Sequence, residues 1–264
     1  MRFVSVEQNA NAMLGVREGD SVRIVSNESL ESLLTRGADF KSLAEANDNA
    51  SGATVSAQNI KFLPPLRQPP KILCVGLNFA DHTKESNFEQ PAYPTLFLRV
   101  NTSLVAHDQP MIRPRITDSE GLDYEGEIAV VLGKGGRHIS RDDALSHVFG
   151  YSLFNDGSVR EYQFKTPQWT MGKNFDATGA FGPDLITADE LPPGAAGLLL
   201  ETRLNGEVVQ SANTDLMVFD FASPISIISE AITLEPGDVI VSGTPSGIGW
   251  ARTPKFLMKS GRCL

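Results

Sequence analysis

Two glutamates one residue apart, Glu125 and Glu127, stand in the run Leu122-Asp123-Tyr124-Glu125-Gly126-Glu127-Ile128-Ala129-Val130-Val131-Leu132. In an extended chain, residues i and i+2 share one side, so these carboxylates lie within several ångström of each other. Like charges that close raise a pKa or recruit a cation. With no His or Cys beside them, an oxygen-only set suits Mg2+, Mn2+ or Ca2+ better than Zn2+. A third carboxylate, Asp156, ends the buried-strand pattern Val148-Phe149-Gly150-Tyr151-Ser152-Leu153-Phe154, where ligand-bearing groups often gather. Plainer readings stand beside these: a solvated acidic strand face for the glutamates, and a turn aspartate capping Ser158 to Glu161 for Asp156.

The elements that would position these groups follow from periodicity. Leu122, Tyr124, Ile128, Val130 and Leu132 fall on one face of the acidic strand, and Asp123, Glu125, Glu127, Ala129 and Val131 on the other. The second face turns from acidic to apolar midway, so the far end is expected to be buried on both sides. That places Glu125 and Glu127 at a sheet end facing a cleft. Further strands are predicted at Ile72 to Leu77, Thr95 to Val100, Glu127 to Leu132, Phe149 to Phe154, Leu198 to Leu204 and Val239 to Ser242. From Lys71 onward, helices are expected only at Phe79 to Ser86, Arg141 to Ser146 and Phe221 to Ala231. Strands and helices do not alternate regularly, which disfavours a doubly wound parallel sheet. The expected class is α+β and β-rich, a roll or partly closed barrel.

Residues 1–63 form a unit of their own, with strands through Met13 to Val16 and Val22 to Val25, a turn at Glu18-Gly19-Asp20, and helical patterning at Leu30, Leu33 and Leu34 stopped by Gly37. So small a unit has too little core to stand alone and is expected to pack on the rest. Residues 64–70, four of them proline, are expected to be a stiff linker. Residues 71–264 make the main domain.

The chain has 264 residues, 41% of them hydrophobic and 21% charged, enough to bury a core without metal or disulfide staples. Its 23 Lys and Arg against 32 Asp and Glu give a formal charge of -9, which lacks the basic footprint of nucleic-acid binding. No apolar run approaches the ~20 residues of a membrane helix, and no apolar signal core follows Met1. Cys74 and Cys263 are far apart in sequence and suit a reducing compartment, so a soluble cytoplasmic protein is expected.

Five strings in order resemble the fumarylacetoacetate hydrolase family: Gly76-Leu77-Asn78-Phe79-Ala80-Asp81-His82, Asp123 to Val131, Asn155-Asp156, Gly172-Lys173-Asn174-Phe175-Asp176, and Pro236 to Gly249. The front unit loosely resembles the small N-terminal domain of longer bacterial members. The resemblance implies a β-roll catalytic domain, dimeric, that holds Mg2+, Mn2+ or Ca2+ through Glu125, Glu127 and Asp156. It implies a 2-oxo or 2,4-dioxo acid as the small-molecule partner, with a place in aromatic catabolism.

His82 and Glu85, at i and i+3, share a helical face; the resemblance makes them a water-activating pair, whereas without it they are a surface pair. A carboxylate beside an imidazole orients the ring and stabilises its cation. Lys173 is expected to hold the substrate's carboxylate or the released enolate, the alternative being an exposed turn lysine. Arg160 and Gln163 occupy places where relatives bind substrate oxygens, though Gly157, Val159, Glu161 and Tyr162 depart from the usual string. The loop Ser242 to Gly249 can offer backbone N–H groups and the Thr244 hydroxyl to an anion. Trp169 either walls a pocket or covers core. His107, His138 and His147 match no motif and are expected at the surface or behind the site.

The expected activity is divalent-metal-dependent hydrolysis of a C–C bond in a 2,4-dioxo acid of acylpyruvate or fumarylacetoacetate type, through a metal-bound enolate. The alternatives are decarboxylation or isomerisation of an oxaloacetate or 2-hydroxyhepta-2,4-diene-1,7-dioate type of diacid, and a non-catalytic module that binds a 2-oxo acid or metal. One departure concerns the last residues: relatives follow a Leu-Lys-x-Gly-Asp segment with further strands, whereas Arg262 replaces the Asp and those strands are absent.

Overall fold

The computed structural model describes residues 1–8, 10–48, 52–115, 121–260 and 264; Arg262 and Cys263 lie outside the described residues. The N-terminal portion contributes β1 (Arg2–Gln8), β2 (Asn11–Glu18), β3 (Ser21–Ser26), α1 (Leu30–Thr35), α2 (Phe40–Asp48), β4 (Thr54–Ser56) and β5 (Lys61–Leu63). Then follow β6 (Ile72–Gly76), α3 (Ala80–Glu85), β7 (Thr95–Arg99), β8 (Leu104–Val105), β9 (Gly126–Leu132), α4 (Arg141–Ala144) and β10 (Val148–Asp156). The rest is α5 (Arg160–Gln163), α6 (Thr170–Lys173), β11 (Gly179–Phe181), β12 (Asp184–Thr187), β13 (Leu199–Leu204), β14 (Glu207–Asn213), α7 (Ala222–Ala231) and β15 (Val239–Val241).

Thirteen of the described strands form one sheet, whose path runs β4-β3-β2-β1-β12-β10-β9-β15-β6-β7. Its two ends do not meet, so the β-rich α+β fold is an open sheet rather than a closed barrel. Most neighbours are antiparallel; β15 and β6 run parallel, as do β11 and β8. The hairpin of β13 and β14 stands apart as a second sheet.

β9 explains the pattern of its sequence. Ala129 and Val131 enter one apolar cluster, with Phe3, Leu14, Leu34, Phe149 and Phe181. Ile128, Val130 and Leu132 enter the cluster on the opposite face, where Phe221, just before α7, and Ile225 and Ile228 on it cover them. A strand covered on both faces has no wet side, and Glu125 and Glu127 stand where its acidic end begins. The N-terminal portion is packed on the rest as its small size requires: β1 pairs with β12, and Phe3 and Leu14 share a cluster with Val239 and Val241. Residues 64–70 carry no regular element and lie against the body, with Leu66 buried and Pro65 O accepting from Ser5 Oγ at 2.8 Å.

The expectation of only three helices after Lys71 is corrected by α5 and α6, one turn each, which bracket the 164–169 loop. A single turn has no room for apolar periodicity, so sequence pattern cannot announce it. Beyond α4, the expected continuation to Ser146 is a 3-10 turn, Leu145–His147.

The buried Asn78 ties two of the motif strings together. Its amide donates to Phe219 O at 3.0 Å and Ser242 O at 2.7 Å, and its oxygen accepts from Phe219 N at 2.7 Å. Asn78→Ala would leave one buried and two half-buried backbone groups without this partner, the buried one costing on the order of 1–3 kcal/mol and the others less. Chemical denaturation should show a loss of about 2 kcal/mol or more; a loss below about 1 kcal/mol would mean that water replaces these bonds.

Candidate active site

The cluster begins where β9 and β10 run side by side, with Phe154 opposite Glu127 and Asn155 opposite Gly126. That register brings the start of one strand to the end of its antiparallel neighbour. Glu125, Glu127 and Asp156 each offer an oxygen within 4.8 Å of the other two, and all three are buried. Asn155 holds the turn closed: its Oδ1 accepts from Glu125 N at 2.9 Å, and Asp156 N donates to Glu125 O at 2.9 Å.

Cations are threaded between the carboxylates. Lys173, 2% exposed at the end of α6, places Nζ 2.7 Å from both Glu125 Oε2 and Asp156 Oδ2. It is therefore a buried bridging ammonium and not an exposed turn lysine. Arg160 reaches Asp123 Oδ2 with Nε at 2.9 Å, Glu125 Oε1 with Nη1 at 2.5 Å, and Gln163 Oε1 at 2.8 Å. Arg99, buried at the end of β7, pairs with Asp156 Oδ1 and donates to Thr178 Oγ1 at 3.0 Å.

Burial works against the charge on Glu125, but the Arg160 guanidinium and the Lys173 ammonium overcome it and hold the carboxyl well below the usual range. Burial raises Glu127, and repulsion from Asp156 and Glu125 raises it further, well above the ordinary glutamate value. Among the described residues no Lys or Arg nitrogen makes an ion pair with Glu127; its Oε2 accepts from Gly243 N at 2.8 Å. Gly243 can approach so closely because it has φ +84° and no Cβ, which would stand 2.5 Å from Val75 O. Three hard oxygens with one carboxylate short of counter-charge fit a hard divalent cation held by Glu125, Glu127 and Asp156.

His82 and Glu85 meet on α3 as their spacing predicts, with Nδ1 3.1 Å from Glu85 Oε1. Gly247 N lies 3.0 Å from each Glu85 oxygen and fixes the carboxylate against the loop after β15. A cavity of about 270 Å³ joins this pair to Glu125, Glu127, Arg160, Gln163, Lys173 and Thr244, so the named residues come together except for Asp156, which stands behind the wall. The Thr244 hydroxyl donates to Gly126 O at 3.0 Å and accepts from Gln210 Nε2 at 2.8 Å. Trp169 lines the cavity. His107 is 43% exposed at its side chain and His138 is exposed; His147 is buried, with Nδ1 3.0 Å from Lys134 O, and none of the three lines the cavity.

Sequence reasoning missed Arg99, the anchoring role of Asp123, and Gln210. A cation at the end of an apolar run, as in Thr95 to Arg99, is the signal that marks Arg99. Gln210 lies on the hairpin outside the main sheet, and no local pattern pointed to it.

Residues 71–264 match the family model for the fumarylacetoacetate (FAA) hydrolase C-terminal domain. Over 229 residues the chain is 38% identical to oxaloacetate tautomerase Fahd2a, mitochondrial, of Rattus norvegicus, covering 86% of this chain and 72% of that protein. A solved fumarylacetoacetate hydrolase from psychrophilic Exiguobacterium antarcticum matches with a TM-score of 0.85 at 34% identity, over 99% of this chain and 93% of that one. Maleylpyruvate hydrolase from Sphingobium sp. SYK-6, in complex with manganese (II) ion and pyruvate, matches with a TM-score of 0.78 at 27% identity, over 94% and 90%. This chain belongs to the fumarylacetoacetate hydrolase family, and four of the five strings that suggested it contribute lining residues to the cavity, while the fifth supplies Asp156 to the carboxylate cluster. Among the described residues no helix is long and apolar enough to cross a membrane.

The raised Glu127 gives a pH signature. Its folded form keeps a proton that the unfolded chain releases near the ordinary glutamate value, so its contribution to stability is lost as pH rises above that value. In chelator-treated protein, Glu127→Gln should therefore melt higher than the parent at neutral pH, with the gap shrinking in mild acid. A dication competes with a proton on Glu127, so calorimetry in buffers of different ionisation enthalpy should register net proton release on binding. Binding without proton release would refute the raised carboxyl.

Proposed function

We propose that the chain is a divalent-cation-dependent enzyme that hydrolyses the C–C bond of a 2,4-dioxo acid. The observation that carries this reading is the His82–Glu85 pair opening on the same cavity as the buried carboxylate cluster. Glu125, Glu127 and Asp156 would hold the cation. When bound, it supplies Lewis-acid polarisation of the substrate's oxygens.

The remaining steps belong to side chains. Glu85 accepts the Nδ1 hydrogen of His82, which leaves the Nε2 lone pair as the base. His82 Nε2 takes a proton from water as its oxygen bonds to the distal carbonyl carbon. The tetrahedral adduct breaks the bond between that carbon and the carbon α to the 2-oxo group. The electron pair moves into the 2-oxo group to give the enolate, and the distal fragment departs as a carboxylic acid. The His82 imidazolium then returns the proton to the α carbon, and pyruvate leaves.

Lys173 spends two of its three donors on Glu125 and Asp156 and keeps the third for a substrate oxygen. Gln163 Oε1 is occupied by Arg160, so its amide hydrogens are the groups offered to substrate. Thr244 is assigned here to orient the loop between Gly126 and Gln210 and to present its backbone to an anionic group. Association as a dimer in a cytoplasmic setting belongs to the same proposal, and sedentary monomers in ultracentrifugation would count against the dimer.

A second reading is favoured by the name of the rat relative, oxaloacetate tautomerase: proton transfer between the α carbon and the 2-oxo oxygen by His82, without water attack. A non-catalytic binder is disfavoured, because binding alone has no use for an oriented base.

Glu125→Gln should abolish turnover and dication binding together; full metal-dependent turnover by that variant would refute the ligand assignment. His82→Ala should lower hydrolysis of acetylpyruvate by about 100-fold or more while the protein still binds Mn2+. If near-normal cleavage survives, water activation by this pair is wrong. Tautomerisation of oxaloacetate, followed beside acetylpyruvate hydrolysis on the unsubstituted chain, separates the two readings.

A further inference from the structure

The cavity has two chemically different ends. Glu125 and Lys173 at the inner end are 4% and 2% exposed, whereas Phe88 and Phe164 at the outer end are 40% and 46% exposed. Phe88, Phe164 and Trp169 form one aromatic group there, with ring centroids 6.4 Å apart for Phe88 and Phe164 and 6.0 Å for Phe88 and Trp169. The group is built in by backbone features. Gly76, the last residue of β6, admits the indole, since a Cβ there would stand 2.3 Å from Trp169 Cζ3. Asn87, at φ +58°, turns the chain out of α3 immediately before Phe88.

Charge at the two ends differs as sharply. Among the described residues, the lysine and arginine side chains lining the cavity are Lys173 and Arg160, each already spanning two carboxylates. Lys255 stacks over the Trp250 ring at 3.3 Å but does not line the cavity. Among the described residues no guanidinium or ammonium lines the aromatic end. A carboxylate placed there would lose water against ring faces that present partial negative charge. An apolar or aryl group would instead cover rings that are half exposed to water.

Resting on the reading of this cavity as a site for enolisable 2-oxo acids, we propose that Phe88, Phe164 and Trp169 form a specificity wall. It selects monoacids whose far end is uncharged and apolar or aromatic, and it disfavours diacids. Oxaloacetate and maleylpyruvate, the compounds in the relatives' names, are diacids, so the wall separates this chain from those activities.

The test compares kcat/KM for acetylpyruvate and benzoylpyruvate with fumarylpyruvate and oxaloacetate on the full chain with Mn2+. Quenching of tryptophan fluorescence by benzoylformate and by 2-oxoglutarate reads binding independently of turnover. Benzoylpyruvate should exceed the diacids by about tenfold or more, mainly through KM, and benzoylformate should quench at lower concentration than 2-oxoglutarate. Phe164→Arg, a change at an exposed position, should move the ratio toward the diacids. Diacids equal to or better than monoacids in both assays, or an unchanged ratio in Phe164→Arg, would overturn the wall while leaving the 2-oxo acid reading intact. If no 2-oxo acid is turned over, the proposed activity falls, and the fluorescence titration alone decides: tighter benzoylformate supports the wall, and equal or tighter 2-oxoglutarate overturns it.

Discussion

Carboxylates withdrawn from water and pressed within 4.8 Å of one another repel by on the order of 3 kcal/mol per pair at an effective dielectric near 20. The cations around them offset that repulsion. Arg99 takes Asp156, Arg160 spans Asp123 and Glu125, and Lys173 spans Glu125 and Asp156. Among the described residues Glu127 is the member without such a partner, and burial together with repulsion from Asp156 and Glu125 raises its carboxyl. A buried ion network of this kind is poor evidence for stability, because apolar residues could fill the same volume at lower cost. Its value is geometric: each ion pair fixes the direction of a carboxylate that would otherwise turn toward solvent.

The open sheet is what makes such an arrangement affordable to place. Antiparallel β9 and β10 bring an acidic strand start against an acidic strand end, and the two apolar clusters hold β9 from both faces. β15 then inserts between β9 and β6, carrying Gly243 to Glu127 and Gly247 to Glu85. One loop thus touches both the carboxylate cluster and the His82–Glu85 pair. Asn78 secures that loop from the side, through Ser242.

Much of this was legible in the sequence because it is local. The change of face character along Asp123 to Val131 announced a strand buried on both sides, and the i, i+3 spacing of His82 and Glu85 announced a helical pair. What escaped was either too short or too distant. α5 and α6 span one turn each and so have no period to detect, yet they carry Arg160, Gln163 and Lys173. Arg99 meets Asp156 across the sheet, and no spacing between them could say so. Trp169 stayed undecided because its place depends on Gly76, a residue whose missing side chain matters only once the chain has folded.

The insertion of β15 between β6 and β9 has a consequence for synthesis. A growing polypeptide that has not yet emerged past residue 241 lacks the strand that bridges β6 and β9, and it lacks the Gly243 amide that donates to Glu127. Until then the α3 pair and the acidic strand have no common wall. Assembly of the pocket therefore waits on synthesis of residues 239–247, and a nascent chain stalled on the ribosome before that point lacks the wall that the two groups share.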